Sequence, residues 1–159
     1  YGKYHVLDVN LRAPHYSPEI IDLLMGKAQL VKVNSNELLL MAQWFDNSHT
    51  KEMDIVEMLF ERYGMQELII TKGSKGATYY TDSFRYDYPA YPTQVADTVG
   101  SGDSFLAAFL AMKLGVEPVE LTLDYAVAMG AFITSKEGAC PDYSQFDLNR
   151  FIWKNKLHI

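Results

Sequence analysis

The sequence predicts an α/β fold, with a mostly parallel sheet flanked by helices. Three observations carry that reading. Short strand-like runs alternate with helical stretches along the chain, the order that builds parallel sheets covered by helices. One of the runs, Glu67-Leu68-Ile69-Ile70-Thr71, reads as a buried strand. A glycine pair, Gly100 and Gly102, then opens a long apolar helical stretch.

The elements follow in order. Tyr4-Asn10 reads as the first strand. Ser17, Pro18 and Glu19 give the favoured succession of cap, proline and acidic residue, and open a helix through about Lys27. Leu30-Val33 is the second strand, followed by helices from Asn36 to about Phe45 and from Lys51 to Tyr63. Ile55, Val56, Leu59 and Phe60 share one face of the latter. Glu67-Thr71 is the third strand. Ala77-Thr81 and Phe84-Tyr88 form a hairpin around Asp82-Ser83, and Pro89 and Pro92 carry the chain onward. Helices at Gly102-Leu114, Pro118-Ser135 and Phe146-Lys156 complete the pattern. Repeats, low-complexity tracts and linkers are absent, and one domain spanning 1–159 is expected.

Composition narrows the classes of function. A chain of 159 residues with 48% hydrophobic and 21% charged content is ordinary for a soluble globular domain. At this length about 68–70% of the unfolded surface can be buried. The single Cys140 cannot form an intrachain disulfide, which suits a reducing compartment, and the expected location is the cytoplasm. No apolar run reaches membrane-spanning length, so no membrane partner is expected. A net charge of -6 argues against general nucleic-acid binding, while a local cluster of cations still permits a nucleotide. His5, His15, His49 and His158 lack metal-ligand spacing, and Cys140 has no evident histidine to activate it, so each is expected in packing or at the surface.

The segment Asp97-Thr98-Val99-Gly100-Ser101-Gly102-Asp103 carries the most chemistry. Backbone N–H groups left free at a glycine-opened helix N-terminus, together with the helix dipole, make a place for an anion such as a phosphate. A carboxylate in that place is electrostatically wasteful unless it has a task, and accepting a proton from a hydroxyl attacking phosphorus is such a task. Two other glycine-rich readings fail. A dinucleotide fingerprint needs a third glycine at position 105, where Phe105 stands, and neither this segment nor Gly73-Ser74-Lys75-Gly76 fits a Walker loop. The bland alternative is a glycine-opened helix in which Asp103 only complements the dipole, worth roughly 0.3–1 kcal/mol.

The longer pattern D-T-x-G-x-G-D, followed by Ser104-Phe105 and the small residues Ala107 and Ala108, resembles the C-terminal signature of the PfkB, or ribokinase-like, carbohydrate kinases. The resemblance spans nearly the whole chain and keeps the family's order: Asp8-x-Asn10-x-Arg12, Lys32-x-Asn34-x-x-Glu37, Thr71-x-Gly73-x-x-Gly76, the signature, and Gly138-Ala139. It implies a Rossmann-type three-layer sandwich. It also implies that this chain is the C-terminal, nucleotide-binding and catalytic portion. The family's N-terminal sugar-binding and lid elements have no match here.

The same resemblance implies ATP-dependent phosphorylation of a primary hydroxyl of a small sugar. Asp103 would be the general base and Gly100-Ser101-Gly102 the anion hole. Asn34 and Glu37 would organise Mg²⁺, largely through water, and the phosphates. Thr71, Gly73, Gly76 and Thr98 would contact the nucleotide. Asp97, the Val99 carbonyl and the loop at Gly138 would hold a monovalent cation such as K⁺. Each role has a bland counterpart: Asn34 with Glu37 is also a capping box, and Thr71-Gly76 a glycine-rich turn. Asn10 and Arg12 face phosphates or sugar, or else serve a strand-end hydrogen-bond network. Lys72 and Lys75 are read as solvent-facing lysines.

Asp8-x-Asn10-Leu11-Arg12 resembles fructokinase-like members most, with 2-keto-3-deoxygluconate kinase or ribokinase as alternatives and a homodimer of the full-length protein as the expected assembly. One departure is Val127, where many relatives carry Asn after the helix alanine that lines the adenine pocket, Ala126 here. A nucleotide-binding regulatory module without catalysis is the reading from another class, and a fragment inactive on its own is a third.

Overall fold

The computed structural model describes residues 4–138 and 140–156. Five strands and six α-helices alternate: β1 (Val6–Asp8), α1 (Pro18–Met25), β2 (Leu30–Asn34), α2 (Ser35–Phe45), α3 (Glu52–Tyr63), β3 (Glu67–Thr71), β4 (Ala77–Thr81), β5 (Arg85–Tyr88), α4 (Ser101–Leu114), α5 (Val119–Thr134) and α6 (Gln145–Lys156). The strands form one sheet in the order β1-β2-β3-β4-β5, and β1, β2 and β3 run parallel. This is the α/β class that the alternation predicts.

Most boundaries agree with the sequence to within one or two residues. The first strand is the exception, being shorter than Tyr4-Asn10. Its last ladder bond runs from the Val9 N–H to the Lys32 carbonyl at 3.0 Å, and Asn10 then turns into the left-handed region at φ 36°. Asn tolerates that conformation better than other residues bearing a side chain.

The chain divides into two compact units. The first runs from the start of the described chain to Lys72 and takes in Thr78–Tyr86; the second takes in Gly73–Ala77 and continues from Asp87. In the first unit one apolar cluster joins Ile21 and Met25 of α1, Leu38 and Met41 of α2, and Ile55, Val56 and Leu59 of α3 to Val31, Val33, Leu68 and Ile70. Register explains the pairing: Val31 faces Leu68 and Val33 faces Ile70, so alternate residues of β2 and β3 turn the same side toward these helices. Leu30 and Ile69, on the other side, are also fully buried. Burial on both faces accounts for the apolar residues that fill most of these strands.

The second unit is built on α4 and α5, which pack along each other. Phe105, Ala108 and Phe109 recur at helical spacing and form the buried stripe of α4. Phe132 and Ile133 of α5 meet Leu148 of α6, with Phe151 and Tyr125 at the margin.

Candidate active site

Within the first unit, three sequence motifs arrive at the carboxyl ends of three neighbouring parallel strands. Asn34 ends β2 opposite Thr71, which ends β3, and the Thr71 hydroxyl donates to the Val33 carbonyl at 3.4 Å. Asn10 follows β1 on the other side of β2. In open α/β sheets ligands collect outside such strand ends.

Asn34 caps α2: its side-chain oxygen accepts the N–H groups of Asn36 and Glu37, both at 2.9 Å. Glu37 answers through Oε2, which accepts the Asn34 N–H at 2.8 Å. The capping box is therefore present. Glu37 also does something the box does not require. Its Oε1 accepts the Leu11 N–H at 3.0 Å, and the side chain is buried. Two of the roughly four lone-pair directions of this carboxylate are thus committed to backbone, and two remain for other donors.

The β1 end carries an ion pair between a buried lysine and a half-buried aspartate. Lys32 Nζ donates to both carboxylate oxygens of Asp8, at 3.0 and 2.9 Å, with the two residues directly opposite in the parallel ladder. Lys72 is not the solvent-facing lysine expected. It donates to Glu52 at 2.7 Å, and the same oxygen accepts the Tyr80 hydroxyl at 2.6 Å. Burial opposes the Glu52 charge, but the Lys72 and Tyr80 hydrogen bonds outweigh it and hold the carboxyl below the usual range. Lys75 is exposed, as expected.

The second unit holds the glycine loop and the signature. Gly73–Lys75 form a short 3₁₀ turn closed by the Gly76 N–H on the Gly73 carbonyl at 3.0 Å. Both glycines have positive φ, 55° and 92°. In the signature, Asp97 accepts the Val99 N–H at 2.9 Å, a local turn that orients the approach to the helix. Gly100 is the N-cap of α4 with φ 79°, a value suited to glycine. Ser101 N–H bonds back to Thr98 at 3.4 Å and Ser104 N–H to Gly100 at 2.9 Å. Helical geometry leaves the N–H groups of Gly102 and Asp103 without an intrahelical acceptor. The Asp103 side chain is exposed.

One turn of α5 fixes both ends of this loop. The Thr134 carbonyl accepts the N–H groups of Ala96 and Asp97 at 2.9 and 3.2 Å, while the Gly130 carbonyl accepts the Ser101 hydroxyl at 3.1 Å. Sequence reasoning missed these two α5 residues, since nothing local marks them as partners of the signature. Gly138 is exposed at φ 82°; Ala139, its neighbour in the motif, and His158 lie outside the described residues. Ala126 and Val127 are both buried in α5. Among the described residues no three His, Cys, Asp or Glu side chains gather as a metal site, and no helix is long and apolar enough to cross a membrane.

Sequence reasoning also missed Asp124. It is buried on α5 and accepts hydrogen bonds from the Tyr88 hydroxyl at 2.6 Å, from the Tyr91 hydroxyl and from Lys156. The tyrosine-rich stretch Tyr79-Tyr91 reads from the sequence as a half-buried hairpin, or else as the border of a nucleotide pocket or a partner, and nothing in it points to Asp124.

The first unit thus has polar motifs at the carboxyl ends of three parallel strands, and the second a glycine-opened helix with a carboxylate in its first turn, both kinds of feature at which anions collect in α/β proteins. The model of the pfkB family of carbohydrate kinases matches residues 2–145, and the chain belongs to that family. It is 30% identical over 147 residues to a probable fructokinase-5 of Arabidopsis thaliana, covering 84% of this chain and 44% of that protein. Among solved structures, aminoimidazole riboside kinase from Salmonella enterica, complexed with aminoimidazole riboside and an ATP analogue, superposes with a TM-score of 0.78 at 27% identity. That match covers 94% of this chain and 52% of the other. A double mutant of fructokinase from Vibrio cholerae O395, bound to fructose, ADP and potassium ion, gives 0.78 at 22% identity over 94% of this chain and 50% of the other. The chain thus spans under half the length of the first of these and about half of the other two.

Proposed function

We propose that the full protein transfers the γ-phosphate of ATP to a primary hydroxyl of a small sugar, with fructose as the first candidate acceptor. The observation that carries this reading is the signature helix. Asp103 stands in its first turn beside N–H groups that have no intrahelical acceptor, inside a family of carbohydrate kinases. The fructokinase relative supports the acceptor.

In this mechanism the backbone amides from Gly100 to Asp103 receive the transferring phosphoryl oxygens, and Asp103 accepts the proton of the attacking hydroxyl. Proton transfer comes late, once bonding to phosphorus has acidified the hydroxyl. The carboxylate is worth about 10²–10⁴-fold in rate, with positioning and charge stabilisation supplying the rest. Asn34, Thr71, Gly73, Gly76 and Thr98 contact the nucleotide. Asp97, the Val99 carbonyl and Gly138 hold a monovalent cation.

Mg²⁺ suits the donors available. It keeps several waters and takes few protein carboxylates, and Glu37 retains lone pairs that a metal-bound water can use. When bound, the ion neutralises charge on the phosphates. The protein is read as acting in the cytoplasm as a homodimer.

The test is sugar-dependent ADP formation by the full-length protein with Mg-ATP and K⁺. The acceptors are fructose, ribose, 2-keto-3-deoxygluconate and aminoimidazole riboside. Turnover with fructose is expected. Mg-ATP binding without turnover on any acceptor would favour a nucleotide-binding module.

A further inference from the structure

The end of β2 and the first turn of α2 grip both sides of the turn that follows β1. On the near side, Lys32 holds Asp8 through its ammonium and Val9 through its carbonyl. On the far side, Glu37 Oε1 receives the Leu11 N–H at 3.0 Å, while Oε2 is committed to the Asn34 N–H. Asn10 lies between these anchors with φ 36°, and Arg12 follows, exposed and without an ion pair among the described residues. A buried carboxylate that accepts two backbone N–H groups 23 residues apart in sequence, Leu11 and Asn34, does more than cap a helix.

We infer that Glu37 is a positioning residue. Its carboxylate locks the Asn10–Arg12 turn onto the N-terminus of α2, so that the Arg12 guanidinium is presented in one orientation to a phosphate. The chemistry follows from the groups. A guanidinium binds phosphate oxygens as a planar fork, which gains most when the fork is pre-oriented. A turn containing a positive φ residue does not hold one orientation without outside support. The role of Arg12 rests on the phosphotransfer reading above; the clamp itself does not.

Two measurements on the full-length protein separate these levels. The first is amide hydrogen exchange at Leu11, with Val31 of β2 as the internal reference. A Gln could keep its carbonyl oxygen on Leu11, so the variant is Glu37→Leu, which removes the acceptors of both N–H groups. Leu11 should exchange at least tenfold faster in that variant, with Val31 unchanged. Asn34→Ala removes the other half of the cap and should leave Leu11 protected. Unchanged exchange at Leu11 in Glu37→Leu, or equal loss in Asn34→Ala, would overturn the clamp.

The second is a double-mutant cycle with Arg12→Ala on kcat/KM, read separately for nucleotide and acceptor. If Glu37 acts through Arg12, then at saturating Mg²⁺, where any contribution through metal-bound water is made up by the ion's concentration, Glu37→Leu costs about tenfold in the parent and less than twofold in the Arg12→Ala background. A rise in KM for the nucleotide supports contact with the donor phosphates, and a rise confined to the acceptor, which carries no phosphate, would overturn the phosphate role of Arg12. Additive losses would overturn the role of Arg12. If no acceptor is phosphorylated, the phosphotransfer reading fails while the exchange arm still decides the clamp.

Discussion

A Cβ placed on Gly76 would lie 2.0 Å from the carbonyl oxygen of Tyr88, so the glycine loop meets the chain after β5 backbone against backbone. Gly76 is also held at φ 92°, whereas Gly73 at φ 55° has open space around it. The two glycines of one motif are therefore required for different reasons. Gly76→Ala should destabilise the protein by roughly 3 kcal/mol or more, as a backbone clash added to a left-handed strain. Gly73→Ala should cost only the strain, about 1–2 kcal/mol. Urea denaturation of the two variants checks the difference, and equal small losses would show that Tyr88 can give way.

Val116 offers a gain. It occupies the position after the C-cap Gly115 of α4 with φ 61°, and the bonds from Val116 N–H to Lys113 and from Glu117 N–H to Met112 make a Schellman ending. A β-branched residue there is strained, and its side chain is almost fully exposed. Val116→Gly should stabilise the protein by about 1 kcal/mol, read as a higher denaturation midpoint. A drop in midpoint would mean that the exposed side chain contributes more than the strain costs.

Asp124 should make stability depend on acid. Burial opposes its charge, but the hydrogen bonds from Lys156, Tyr88 and Tyr91, with the Lys156 charge, outweigh burial and hold the carboxyl below its ordinary value. A carboxyl depressed in the folded state contributes stability that is fully present above its unfolded value, about pH 4, and is lost as pH falls through the folded value. Asp124→Asn should cost roughly 1–3 kcal/mol at pH 7, and that cost should shrink below pH ~4. Stability curves for the two proteins from pH 2 to 7 decide it; a gap that does not change with pH would assign the effect to packing.

For the reaction, Asp103→Asn in the full-length enzyme should lower kcat by at least a hundredfold while nucleotide affinity stays within about twofold. Steady-state kinetics and calorimetric titration with ATP measure the two quantities. Near-normal turnover would remove Asp103 from the chemistry.

The sequence alone determined the elements, because each is specified by neighbours in the chain. Ser17-Pro18-Glu19 announces α1, the apolar runs announce β2 and β3, and the glycines announce α4. Asn34 and Thr71 were legible as strand-end residues for the same reason, and parallel register then set them side by side. The family, too, was legible, since its motifs are local and ordered. The tertiary structure decided what these side chains touch. Glu37 reaches Leu11 across 26 residues, Lys72 reaches Glu52 across 20, and Tyr91 reaches Asp124 across 33. Pairs so far apart in the chain leave no periodic or spacing signal. Only the packing of strands and helices brings them within hydrogen-bond distance, and so only the fold distinguishes a capping carboxylate from one that also holds a turn in place.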